Sequence, residues 1–186
     1  ALSEVVESAG TVDLDLVKSR VATWADADAV RAATGHVAPP DGLHYRWPDL
    51  PSLRIESRLD EKLQAVAAFA RVNSVDRHVI ESPHAKVGIV TCGKAHYDLM
   101  EVLRRLEVTP QSLARVGVRL YKVGLSFPVE PTRIRAFAQG LDEILIVEEK
   151  GAIVESQLRD LFYNAPAAAR PALVGKHDRE GRPLVS

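Results

Sequence analysis

At 186 residues, with 46% apolar and 26% charged residues, the chain has the composition of an ordinary globular protein and the length for one sizeable core. Its formal net charge is -1, with Lys and Arg interspersed among Asp and Glu, so it has no field able to hold a phosphate backbone, and nucleic acid is excluded as a partner. Cys92 is the only cysteine, which rules out an internal disulfide and any iron-sulphur or cysteine-rich zinc site built from this chain alone; a reducing cytoplasm is the expected setting.

The chain opens on Ala1, Leu2, Ser3, Glu4, Val5, Val6 and Glu7, the apolar spacing of a helix already under way, and it is expected to be a piece of a longer polypeptide. Neither a secretory leader nor an apolar run of about 18 residues is present, so no membrane contact is expected. Weak alternation over residues 12–21 and Pro-rich stretches at 39–42 and 47–51 make residues 1–58 an irregular segment packed on the core, with Tyr45 and Trp47 as apolar anchors.

From there the pattern becomes regular. Leu63, Val66, Ala67 and Ala70 predict a helix over residues 60–73, and Arg77 to Glu81 can form a strand that Pro83 ends. The short connection after it lets this strand turn back antiparallel to the next one in sequence. Residues 86–92 read as a buried strand, with Gly93 turning the chain into a helix that carries Leu99, Met100, Leu103 and Leu106. Residues 118–124 and 143–148 read as two further strands. Between them Pro131 opens a helix with Ile134, Phe137, Ala138 and Leu141 inward, ending at Gly140. Ile153, Val154, Leu158, Leu161 and Phe162 mark a last helix, and Pro171 to Gly175 a last short strand. Residues 59–176 therefore form one α/β domain around a mixed sheet, and the polar tail over 177–186 is expected to fray or reach a neighbour.

Thr91, Cys92, Gly93 and Lys94 lie where a strand becomes a helix, a place where backbone N–H groups and the helix dipole favour an anion. The simpler reading is a glycine turn, since one glycine and one lysine do not make the longer Gly-rich phosphate loop. Cys92, with Lys94 and His96 nearby, is a candidate thiolate nucleophile, against the simpler reading of a small packed residue. Glu148, Glu149 and Lys150 end the third strand, on the sheet edge where α/β proteins meet ligands and neighbouring domains; Tyr121 and Lys122 hold comparable positions. The scattered histidines offer no metal site, and no catalytic residue can be named.

The blocks Leu43-His44-Tyr45-Arg46-Trp47-Pro48-Asp49, Ala67 to Asn73, Gly88 to Lys94, Tyr121-Lys122-Val123-Gly124 with Pro128 to Pro131, Ile146 to Lys150, Gln157-Leu158 and Val174-Gly175-Lys176 resemble, in order, those of the proteobacterial indolepyruvate ferredoxin oxidoreductases. The resemblance implies a three-layer α/β/α sandwich with a mixed five-stranded sheet, similar to the carboxy-terminal domain of transketolase. For the parent enzyme it implies oxidative decarboxylation of an aryl 2-oxo acid to an acyl-CoA with thiamine diphosphate, magnesium, iron-sulphur clusters, coenzyme A and ferredoxin. The chain lacks a Gly-Asp-Gly segment for diphosphate and magnesium and lacks cysteine runs. It is therefore expected to hold no cofactor itself and to be inactive alone, with the other domains or subunits of the parent as partners and a homodimer as one arrangement. The alternatives are a free-standing phosphate, coenzyme A or nucleotide module using Gly93 and Lys94, and a thiol hydrolase using Cys92.

Overall fold

A computed structural model describes residues 27–37 and 53–184. The amino-terminal helix, the alternation over 12–21, the Pro-rich loops, the anchors Tyr45 and Trp47 and the block from Leu43 to Asp49 lie outside the described residues. The elements are α1 (Ala27–Thr34), α2 (Arg54–Asn73), β1 (Arg77–Ile80), β2 (Val87–Cys92), α3 (Gly93–Arg105), α4 (Pro110–Arg115), β3 (Val118–Val123), α5 (Pro131–Ala138), β4 (Glu143–Val147), α6 (Ile153–Tyr163) and β5 (Ala172–Val174). They form an α/β domain around a five-stranded sheet of order β1-β3-β2-β4-β5, in which only β1 runs antiparallel to its neighbour.

The antiparallel strand is where expected in the chain, but its partner is different. β1 pairs with β3, not with β2, the next strand in sequence. The connection over 81–86 is long enough to step across one strand position, about 10 Å at ordinary spacing. The vacated slot goes to β3, whose Leu120 and Tyr121 are both 0% exposed on opposite faces. Helix α2 begins at Arg54, six residues before the expected start, with Glu56 in its first turn at the favourable end of the dipole. Helix α4 went unforeseen, although Pro110 stands at its start and the Thr109 hydroxyl and Ser112 N–H form a reciprocal capping box.

Strand pairing puts the side chains into rows across the sheet. Tyr121, Val90 and Ile146 share one row, and Gly88, Ile144 and Leu173 lie on the same face. This face packs under α5 and α6 through Ile134, Phe137, Val154, Leu158 and Phe162, and it holds the main core. Gly88 is required there, since a Cβ would strike the Phe137 ring and the Leu141 methyl. The opposite row runs Ile80, Leu120, Ile89, Leu145, Val174.

A buried polar network ties β1 to the carboxyl end of β3. The Asp76 carboxylate accepts the Tyr121 hydroxyl at 2.9 Å and the Gly124 N–H at 2.7 Å. A Cβ at Gly124 would collide with the Val75 carbonyl, so only glycine permits this approach. Glu130 caps α5 by accepting the N–H groups of Thr132 and Arg133, and its carboxylate also takes the Arg71 guanidinium of α2 at 2.7 Å.

The segment after β5 does not fray. Lys176 donates its N–H to the Glu155 carboxylate at 2.7 Å, and Leu184 N–H bonds back to the Lys176 carbonyl. Arg179 pairs with Glu143, and Asp178 accepts the N–H groups of Glu180 and Arg182. Residues 177–184 are thus a hydrogen-bonded turn against α6 and β4, because the tail's charges meet carboxylates on those elements.

Candidate functional site

β2 and β4 are neighbours, yet the chain leaves β2 towards β3 and leaves β4 towards β5, on opposite sides. Such a reversal opens a crevice at the carboxyl ends of the two strands, where open α/β sheets meet ligands. The two segments singled out from sequence, Cys92-Gly93-Lys94 and Glu148-Glu149-Lys150, are the two lips of this crevice.

The Glu148 lip is closed by the chain itself. Glu148 is 7% exposed, and its carboxylate accepts the N–H groups of Ile153, Val154 and Glu155 at 2.8–3.0 Å. The amino terminus of α6, which would attract an anion, already holds a carboxylate. Lys176 donates its ammonium to the Glu148 carbonyl at 2.6 Å, tying the segment after β5 to the same lip. Glu148 is therefore a positioning group that caps α6; Glu149 and Lys150 remain exposed, with Lys150 in the left-handed region at φ 59°.

At the other lip Gly93 turns the chain at φ 52° into α3, whose amino terminus has no side-chain cap. Lys94 pairs with Asp98 along the exposed helix at 2.9 Å. Gly88 stands five residues before Gly93, so the spacing of a glycine-rich phosphate loop is present, a pattern that the sequence reading missed. It is not such a loop, because Gly88 lies inside β2 against Phe137 and Ala95 occupies the position of the metal-binding hydroxyl. The Cys92 thiol is half-buried; burial, and then the Glu148 carboxylate, push its pKa up, which favours the simpler reading of a small packed residue over the candidate thiolate nucleophile. Tyr121 is fully buried and bonded to Asp76; burial first, and then the Asp76 carboxylate, raise its phenol far above the usual range, so it is a core group and not a contact.

Sequence reasoning also missed a second cluster beside the Cys92 lip. The Thr91 hydroxyl donates to the Tyr121 carbonyl at 3.2 Å and lies 2.9 Å from His96 Nδ1. Burial, then Lys122, lower the His96 pKa, so the ring is neutral near pH 7. Lys122 sits over the exposed Tyr97 ring at 4.4 Å and donates to its hydroxyl at 3.1 Å. No periodicity signals this cluster, since Thr91, His96 and Lys122 meet only through the β2–β3 register and the first turn of α3.

Glu155 and Glu130 make the packing around the sheet's carboxyl edge pH-dependent. Burial alone would raise both carboxyls, but the Lys176 N–H and Arg159 at Glu155, and the Arg133 N–H and Arg71 at Glu130, hold them below the ordinary glutamate range. A depressed folded-state pKa stabilises above the unfolded value and is lost as pH falls through the folded one. The urea midpoint should therefore be level near neutrality and fall as pH drops past about 4.5, the unfolded value. For Glu155→Gln the acid loss should be shallower, and an unchanged slope would contradict this account.

The family model described as the indolepyruvate ferredoxin oxidoreductase middle domain matches residues 76–184, more than half of the chain. Among curated relatives, indolepyruvate oxidoreductase subunit IorA of Pyrococcus abyssi is 38% identical over 116 residues, 61% of this chain and 17% of that protein. The IorA subunit of Pyrococcus horikoshii is 36% identical over 81 residues, 43% of this chain and 11% of its own. The matched stretch thus spans less than a fifth of either relative. Among solved structures, 2-oxoglutarate:ferredoxin oxidoreductase from Magnetococcus marinus aligns with TM-score 0.42 at 16% identity, covering 76% of this chain and 22% of that one. A split gene transketolase aligns with TM-score 0.39 at 18% identity, covering 53% and 31%. The family match begins at the buried Asp76 and takes in both lips of the crevice and the clamped segment after β5, and the chain belongs to the family of indolepyruvate ferredoxin oxidoreductase middle domains.

Proposed function

We propose that this domain is a structural and interface unit of a cytoplasmic thiamine-diphosphate-dependent indolepyruvate ferredoxin oxidoreductase, whose parent reaction is oxidative decarboxylation of an aryl 2-oxo acid to an acyl-CoA. The observation that carries this reading is the self-capped amino terminus of α6 at the sheet's carboxyl edge. Glu148 fills the amino terminus of α6 and Lys176 ties the same lip, so the groups that could have bound an anion there hold the domain's own elements together. The described residues contain no group of three or more His, Cys, Asp or Glu able to hold a metal ion, and the lone Cys92 cannot ligate a cluster. Binding of thiamine diphosphate, magnesium and iron-sulphur clusters falls to other domains or subunits, which also meet ferredoxin. No helix among the described residues is long and apolar enough to cross a membrane.

A second reading has one observation in its favour: the amino terminus of α3 at Gly93 and Lys94 carries no side-chain cap and could take a phosphate of coenzyme A or a nucleotide. One set of measurements on the isolated chain separates the two. The structural reading expects no turnover of indolepyruvate and no heat on titration with coenzyme A, and turnover would overturn it. Micromolar binding abolished by Lys94→Ala would establish the second reading instead.

A further inference from the structure

A cavity lies at the amino end of the parallel strands, on the edge of the sheet opposite the crevice. The connections from α5 to β4 and from α6 to β5 both run at this end, and the last turns of the two helices, with the segment after α6, enclose about 530 Å³. That is within the range of roughly 300–1,000 Å³ typical of small-ligand sites. One wall is apolar and anchored: Phe162 is 4% exposed and belongs to the main core, Leu161 and Ala165 pack against that core, and Pro166 continues the wall. Three polar side chains line the same cavity, those of Arg135, Gln139 and Asn164, and none of them makes a hydrogen bond or ion pair among the described residues. No acidic residue lines it among the described residues.

The carboxyl ends of two helices would by themselves repel an anion. Here Arg119 donates to the Phe137 and Gln139 carbonyls at 3.1 Å, and Arg170 donates to the Tyr163 carbonyl at 3.4 Å, so other cations already offset both ends. The Arg135 guanidinium is left over, a planar fork matched to a carboxylate, with two amides able to donate beside it. We propose that this cavity binds a small monocarboxylic acid with an apolar body, its carboxylate on Arg135 and its ring or hydrocarbon against Leu161, Phe162 and Pro166. One unpaired cation balances one negative charge, which favours a monocarboxylate over a phosphate ester or a dicarboxylate. The site is separate from the crevice, so it stands or falls independently of the structural reading of the domain.

The test is calorimetric titration of the full chain with phenylpropionate and with the uncharged phenylpropionamide, circular dichroism confirming that each variant folds. The acid should bind with millimolar affinity or better, and the amide at least about tenfold more weakly. Arg135→Gln should weaken the acid by about tenfold and leave the amide unchanged, whereas Ala168→Trp, which fills the cavity from its exposed rim, should abolish binding of both. Equal affinity for acid and amide, the result of an arginine that is merely solvated, overturns the proposal. So does the absence of heat up to about 10 mM acid, or binding that Arg135→Gln leaves intact. Binding lost in Lys94→Ala and kept in Ala168→Trp would place the acid at the amino terminus of α3 and overturn the assignment as well.

Discussion

Glu148→Ala should lower the stability of the isolated chain by roughly 3 kcal/mol, read as a shift of the urea unfolding midpoint at pH 7. The residue is buried, and its carboxylate satisfies three N–H groups in the first turn of α6. Alanine leaves those donors without a partner where water enters poorly, and it removes the negative charge from the positive end of the helix dipole. A buried donor without a partner costs on the order of 1–3 kcal/mol, and partial relaxation of the turn keeps the total below the sum of three. Glu148→Gln retains an acceptor and should cost clearly less, about 1 kcal/mol. An alanine variant within about 0.5 kcal/mol of the unmodified chain would show that the cap does not hold the crevice lip together.

The second large effect is expected at Gly124, where alanine should cost about 3 kcal/mol or prevent folding. The added methyl meets the Val75 carbonyl, which is backbone and cannot rotate away. Moving either segment would also stretch the Gly124 N–H bond to Asp76, the residue that holds the Tyr121 hydroxyl. Gly151→Ala supplies the contrast, because nothing lies within 4 Å of its added Cβ, and its unfolding midpoint should hardly move. Similar midpoints for the two variants would sink the close-approach argument.

Much of the fold was legible because its elements have strong local signals. β-branched runs ending at Gly93, Gly124 and Gly151 place β2, β3 and β4, and Pro131 with Gly140 brackets α5. These signals act within one element, so no knowledge of neighbours is needed. Strand pairing was read less well. The short connection after β1 is consistent with pairing to either β2 or β3, and the choice depends on which strand buries two faces at once, a property of the assembled sheet.

The site divides in the same way. Proximity to a strand's carboxyl end pointed to Cys92, Gly93, Lys94, Glu148, Glu149 and Lys150, and these are the lips of one crevice. The roles of the side chains were not visible. Whether Glu148 faces solvent or turns back onto α6, and whether Tyr121 points into the core or outward, depends on groups far away in sequence such as Lys176 and Asp76. Thr91, His96 and Lys122 likewise come together only through the β2–β3 register and the turn at Gly93.

By itself, then, the sequence determined α/β character with a mixed sheet, one lone cysteine without a second cysteine in this chain for a cluster or disulfide, and the places where strands end in turns. Composition and short-range pattern suffice for these, because chain length, residue counts and periodicity are local quantities. The tertiary structure decided that β3 lies between β1 and β2, that Glu148 and Lys176 close one lip of the crevice, and that the tail is clamped to Glu155. Each of these depends on which distant groups compete for the same buried donor or the same apolar surface, and that competition exists only once the strands are assembled.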